Sequence, residues 1–204
     1  MNPLLTLLSI LPALFFLYPL DSTAGNTTPH VSLVHYLNEQ NLGSFRTRYN
    51  SRYLILVSKG RRRLYLFKGK SLLKTYKIAL GKRPCGDKTC QGDRRTPTGE
   101  FYICTKNPKS RFYLSLGISY PTIEDAKRGL KKGLISKKEY YEIVQAIKAR
   151  RKPPWNTALG GAICIHGGGT WRDWTDGCIA LNNQDIRDLF RMVPIGTPVI
   201  IVEQ

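Results

Sequence analysis

Residues 53–81, YLILVSKGRRRLYLFKGKSLLKTYKIALG, decide the architecture. Three short runs rich in β-branched and aromatic side chains, YLILVS, RLYLFKG and LLKTYKIALG, are separated by Lys-Gly and Gly-Lys turn signals, which is the pattern of a strand meander. Leu64 and Leu66 of the second run fall on one face of a strand, Tyr65 and Phe67 on the other. Downstream, GKRPCGDKTCQGDRRTPTGEFYICT (81–105) reads as a long loop punctuated by Gly, Pro and Asp that ends in a strand over 99–105. The following stretch, NPKSRFYLSLGISYP (107–121), is less regular. The segment 125–152 has no strand character. Ser136 and Glu139 form a capping box, Ile135 and Tyr140 suit a hydrophobic staple, and Tyr140, Ile143, Val144 and Ile147 mark one helical face. Lys148, Arg150, Arg151 and Lys152 follow at its C-terminal end, where cations favour the helix dipole. Further on, AICIH (162–166) and 178–181 read as strands. Asn182 or Asn183 caps a helix with an apolar face of Ile186, Leu189, Phe190 and Val193, and 198–202 is a final buried strand. The whole is a mainly β domain with a few helices over 51–204, within which 127–152 forms a basic helical segment.

The chain has 204 residues, 42% of them hydrophobic and 23% charged, which allows one core-forming domain and excludes a wholly disordered protein. Lys and Arg number 32 against 14 Asp and Glu, a formal +18. Such a field attracts polyanions without choosing among them. The N-terminus narrows the choice: PLLTLLSILPALFFLYPL (3–20) carries no charge and is followed by the small, polar Ser22-Thr23-Ala24-Gly25. Residues 1–24 therefore read as an export signal, or as an uncleaved anchor to the inner membrane, since the run is nearly long enough to span a bilayer. Residues 25–50 read as a linker or arm, in which His30 and His35 are solvated. The expected location is the periplasm or cell envelope. An exported basic protein meets anionic lipid and wall polymers, and no nucleic-acid partner is expected. The basic 127–152 segment offers either a solvated helix face or a surface for the anionic envelope or membrane.

The stretch that carries chemistry is ICIHGGGTWRDWTDGCIALNNQDI (163–186). His166 ends one strand and Cys178, preceded by Gly177, begins another segment. A thiolate beside an imidazole performs acyl transfer: the sulfur attacks, and the imidazole returns the proton to the leaving amine. Gly177 lets the backbone come close and aims N–H groups at an oxyanion. The second imidazole nitrogen needs an orienting group, either a backbone carbonyl near Gly167 or the side chain of Asp176. A buried structural cysteine with a core histidine is the competing reading. A zinc site is the third, but Cys164, His166 and Cys178 leave it one ligand short.

The combined motifs resemble the L,D-transpeptidases of the YkuD family. The resemblance rests on His166-Gly167, a loop, then Thr175-Asp176-Gly177-Cys178-Ile179-Ala180-Leu181, and upstream on GDRRTPTGEFYI with its Thr-Pro-x-Gly-x-Phe core. Asn107-Pro108, Ser110, Ser119-Tyr120-Pro121 and Asp173-Trp174-Thr175 look closer to the YafK-like murein branch. The resemblance implies a β-sandwich or barrel with Cys178 as nucleophile, His166 as base, and Gly177 and Cys178 as oxyanion donors. It implies no metal and no organic cofactor. The substrates implied are peptidoglycan stem peptides, attacked at the L-centre of their diamino acid with loss of the terminal D-residue. Acceptors are a second stem peptide, a wall-linked lipoprotein, a D-amino acid or water. Arg172, Trp174, Thr175, Asp176, Ser110 and Tyr120 are the candidate substrate contacts, and Arg94 and Arg111 join Arg172 as candidates for gripping a carboxylate. Two departures stand out: Asp176 occupies a position where many members carry His or Arg, and Ala180 one where many carry Arg.

Five cysteines, an odd number, leave at least one thiol free if all bridges are internal. Cys85 and Cys90 bracket a short loop and are the candidate disulfide of an oxidising compartment. Cys104 and Cys164 either pair or stay separate, and strand alternation puts Cys164 on the face of His166, at the border of the site. The alternatives to a transpeptidase are a hydrolase (L,D-carboxypeptidase or endopeptidase) acting on the same bonds and a non-catalytic basic envelope-binding module.

Overall fold

A computed structural model describes residues 51–204; the expected export segment 1–24 and the arm 25–50 lie outside the described residues. The meander forms as the apolar runs require: β1 (Tyr53–Ser58), β2 (Arg63–Lys68) and β3 (Ser71–Lys77) pair antiparallel in sequence order. β2 is apolar on both faces because both are covered. Leu64 and Leu66 enter the main core, whereas Tyr65 and Phe67 pack with Leu54, Leu56 and Ile200 in a second cluster on the opposite face. Full burial of each such side chain contributes about 1.5–3 kcal/mol.

β8 (Pro198–Val202) lies at the centre, parallel to β1 and antiparallel to β4 (Gly99–Ser110). β5 (Tyr113–Ile118), β6 (Cys164–His166) and β7 (Ile179–Ala180) complete an eight-stranded sheet of order β3-β2-β1-β8-β4-β5-β6-β7. The segment after β3 then reaches the far edge of the sheet. Ala79 and Ala180 exchange N–H···O bonds of 2.9 and 2.8 Å, and Gly81 bridges to Thr175. The sheet therefore curls back on itself and brings β7 beside the chain leaving β3. Ala180, fully buried in this seam, stands where a long cationic side chain would have no room.

Two features differ from the sequence reading. β4 continues past 105 through Asn107-Pro108, and β5 follows it. Pro108 is tolerated because the β4–β5 pairing is irregular between Asn107 and Ser110, where no ladder N–H is needed. A helix, α1 (Ile123–Lys131), also precedes the expected one, α2 (Lys137–Lys148). Each opens with a complete capping box, Thr122 with Asp125 and Ser136 with Glu139. The basic 127–152 segment is thus a helix pair packed through Ala126, Ile135, Ile143 and Leu159. The last helix, α3 (Asn183–Met192), buries Ile186 and Leu189, and Asn182 is its N-cap residue without a side-chain capping bond. Lys106 of β4 caps its C-terminal end, donating to the carbonyls of Phe190 (2.5 Å) and Val193 (2.9 Å).

Candidate active site

The sheet register brings the two chemical residues together. β6 and β7 run parallel with Ile165 opposite Ile179 and His166 opposite Ala180. His166 at the end of β6 and Cys178 just before β7, twelve apart in sequence, thereby become neighbours. His166 is buried, at 2% exposure. Its Nδ1 lies 2.6 Å from the carbonyl oxygen of Gly167. A carbonyl only accepts, so Nδ1 carries the proton and Nε2 offers its lone pair. The orienting group is therefore the backbone of Gly167, and Asp176 does not share the task. Phe112 stacks on the imidazole at 4.4 Å and 19°, and Trp174 meets it edge-on at 5.6 Å. The Trp174 indole N–H donates to the Gly169 carbonyl (3.1 Å), and Trp171 stacks parallel outside it. These rings fix the plane of the base.

Cys178 follows a turn closed by Thr175, whose hydroxyl donates to the Cys178 carbonyl (2.7 Å) and accepts from the Gly177 N–H (3.2 Å). Gly177 adopts φ +129°, and a Cβ there would stand 2.7 Å from the Arg95 carbonyl oxygen. Only glycine permits both the conformation and the approach. Asp173 anchors the loop from outside: it accepts from the Arg62 guanidinium (2.7 Å at the shortest) and from the Leu80 N–H (2.8 Å).

The sulfur of Cys178 receives the backbone N–H of Cys164 at 3.4 Å and lies 3.5 Å from the Ala162 carbonyl oxygen. Its thiol is held well below the ordinary value by its neighbours Cys164 and His166, which outweigh the opposing effect of burial. The Cys164 thiol is pushed far up by the same partnership and by burial. The arrangement places an easily ionised thiol beside a base whose tautomer is set, which is the equipment of nucleophilic catalysis.

The other expected contacts divide. Trp174 borders the imidazole. Arg172 is exposed on the loop, and Asp176 projects into solvent opposite Lys82 (3.3 Å) and Arg94 (4.0 Å). Those two cations, and not Arg172, stand against its charge. Thr175 does not face a cleft; its hydroxyl is consumed in the turn. Ser110 accepts from the Phe112 N–H (3.1 Å), so it supports the ring that stacks on His166. Tyr120 is fully buried and its hydroxyl donates to the Leu159 carbonyl (3.1 Å), which makes it a core residue. The Gly177 N–H, expected to face an oxyanion, is already bound to Thr175, which leaves the Cys178 N–H for that purpose. Cys85 and Cys90, expected to bridge, are free thiols. Their loop is closed by Asp93 instead, which accepts from the N–H groups of Thr89 (2.7 Å), Cys90 (3.2 Å) and Arg95 (3.1 Å) and pairs with buried Lys88 at 2.7 Å. Among the described residues, no three His, Cys, Asp or Glu side chains are grouped to hold a metal ion.

Asp93 has a testable weight. Burial would raise its carboxyl, but hydrogen bonds from Lys88 and from the Thr89, Arg95 and Cys90 backbone outweigh it and hold it below the usual range. Asp93→Ala is expected to lower stability at pH 7 by about 3 kcal/mol, because it orphans a buried cation. A group depressed in the folded state stabilises above its unfolded value and loses that contribution as pH falls. The gap between parent and variant in urea unfolding therefore closes below about pH 4. A gap independent of pH would contradict this account.

Sequence reasoning missed Phe112, since only the β4–β5 turn carries it to the imidazole, and it missed the Ala162 carbonyl and the Cys164 N–H, which no side-chain pattern reveals. It also missed a cavity of about 500 Å³ lined by Arg94, Trp155, Gly161, Ala162 and Asp176 among others.

Comparison with known proteins identifies a family. Residues 52–201 match the YkuD family model, described as the L,D-transpeptidase catalytic domain. The YkuD protein of Bacillus subtilis (strain 168) is 29% identical over 158 residues, which are 75% of this chain and 68% of that protein. The structure of Bdellovibrio bacteriovorus Bd1075 is similar in fold, with a TM-score of 0.50 at 23% identity over 76% of this chain. It covers 49% of the Bd1075 chain, so this protein spans about half of that length. With a family model matching nearly all of the described residues, the chain belongs to the YkuD family of L,D-transpeptidase catalytic domains.

Proposed function

We propose that this protein is an exported cysteine acyltransferase of peptidoglycan. The observation that carries the reading is the partnership of Cys178 and His166: a readily ionised thiol beside an imidazole whose Nδ1 proton is fixed on the Gly167 carbonyl. The Cys178 thiol gives its proton to His166 Nε2. The sulfur then attacks the carbonyl of the L-centre of a stem-peptide diamino acid, and the Cys178 N–H faces the developing oxyanion. The C–N bond to the terminal D-residue breaks, and the imidazolium protonates the departing amine. The resulting thioester passes to an amine of a second stem peptide or of a wall-linked lipoprotein. Loss of the thioester to water would make the same site a carboxypeptidase. The uncharged segment 3–20 and the +18 balance support an envelope location, where the α1–α2 pair and its basic flank lie against anionic lipid or wall polymer.

The test is intact-mass spectrometry of the full chain, reduced and folded, incubated with stem tetrapeptides and with purified sacculi. An adduct equal to the tetrapeptide less its terminal residue is expected on Cys178. Crosslinked products then mark a transpeptidase and trimmed peptides a hydrolase. Neither adduct nor product would leave the basic envelope-binding module as the reading.

A further inference from the structure

Cys164 takes no part in the chemistry just described, yet it touches the reacting atom. The parallel register of β6 and β7, with Ile165 opposite Ile179, continues backward to set Cys164 beside Cys178. Its N–H donates to the Cys178 sulfur at 3.4 Å. The two sulfurs share one acceptor, the Ala162 carbonyl oxygen, at 3.4 Å from Cys164 and 3.5 Å from Cys178. A carbonyl oxygen suits a neutral thiol, which donates to it, and repels a thiolate. Whichever sulfur loses its proton must therefore turn away from Ala162 toward the proton of the other.

We propose that Cys164 is a positioning residue for the nucleophile, holding the sulfur of Cys178 through two donors, its backbone N–H and its own S–H. When Cys178 passes its proton to His166, the Cys164 S–H swings from the Ala162 carbonyl to the new thiolate. No bond other than hydrogen bonds changes at Cys164, and its proton stays on its own sulfur throughout. The S–H donor adds to His166 on the opposite side, and a charge-assisted hydrogen bond is about twice as strong as a neutral one. The groups facing the pair are Ser115 of β5, which hydrogen-bonds Cys164, Cys104 of β4 and His166 of β6. Asp176, the nearest carboxylate in sequence, is opposite Lys82 and Arg94. The two thiols therefore divide their roles by environment, Cys178 ionising and Cys164 remaining protonated as the donor. The backbone N–H is common to every family of substitutions, so the side chain is the part that can be tested.

The inference rests on Cys178 as the nucleophile but is read without substrate. The full chain, kept reduced, is treated with iodoacetamide across a pH series, and modification of Cys178 is followed in tryptic peptides, where cleavage after Arg172 separates it from Cys164. Removing the donor in Cys164→Ala is expected to move the midpoint of the Cys178 profile upward by about one pH unit, an about tenfold slower reaction on the acid side. Cys164→Val, which fills the strand position without a donor, gives the same shift and covers the case in which alanine unfolds the protein. Cys164→Ser, which keeps a donor, restores most of the parent profile. With tetrapeptide, the donor-less variants lose kcat on the acid side while KM stays near the parent value. Profiles of the alanine and valine variants that superimpose on the parent, or a serine variant shifted as far as valine, would overturn the inference. Absence of the acyl adduct with an intact alkylation pattern would overturn the acyltransferase reading alone.

Discussion

Exchange of Cys178 for alanine is expected to abolish acyl-adduct formation and product release, and exchange of His166 for alanine to lower the acylation rate by about 10³–10⁴-fold. The two residues act as one unit. Without the sulfur the imidazole has nothing to deprotonate; without the imidazole the sulfur loses a hydrogen bond and an electrostatic partner while its burial remains. The double variant is therefore expected to be no worse than Cys178→Ala alone, a non-additivity that independent sites do not produce. His166→Ala also has a signature away from turnover: alkylation of Cys178 near neutral pH slows, because burial is no longer offset from that side. A His166→Ala protein that acylates at the parental rate would remove the imidazole from the mechanism.

The second large effect falls on a residue with no side chain. Gly177→Ala is expected to destabilise the protein by about 3 kcal/mol or more and to disorder the turn before Cys178. Its φ of +129° lies where L side chains rarely go, and the added Cβ meets the Arg95 carbonyl at 2.7 Å and Ile163 Cδ1 at 3.1 Å. Relief requires the 82–98 loop and the Thr175 turn to separate, which pulls the Cys178 N–H and sulfur away from β6. Urea unfolding with Cys178 alkylation checks both halves. Parental stability together with parental alkylation would show that the turn tolerates a side chain.

The sequence was most legible where a local rule matched the final environment. The runs 53–81 became β1–β3 because apolar residues on both faces of β2 are all buried, and α2 begins where Ser136 and Glu139 cap each other. β5 and the second half of β4 were hidden by Asn107-Pro108, which signals a turn in isolation and is absorbed here by an irregular strand pair. α1 was hidden because its capping box uses Asp125, a residue equally at home in a turn. Within the site, Cys178 and His166 stand out in the sequence because acyl transfer demands such groups, whereas the choice of the Gly167 carbonyl over Asp176 as the partner of Nδ1 needed the structure. Tyr120 and Thr175 were misplaced because a polar side chain in a motif reads as a substrate contact, whereas each is used internally. Asp93, which closes the Cys85–Cys90 loop with hydrogen bonds, was not visible in a reading that began from the cysteines.

The central place of β8 has a consequence for how the protein comes to be folded. It joins the meander β1–β3 to β4–β7, and its flanking contacts include one from Ser58 to Gln204, 146 residues away along the chain. Contacts of such separation form slowly, since the intervening chain must close as a loop before they gain anything. Until β8 arrives, β1 and β4 each present an open edge of unpaired N–H and C=O groups, the kind of surface that pairs with other chains. A growing polypeptide of this sequence therefore keeps both edges open until β8 is made, and its aggregation should track the availability of that strand more than the strength of the finished core.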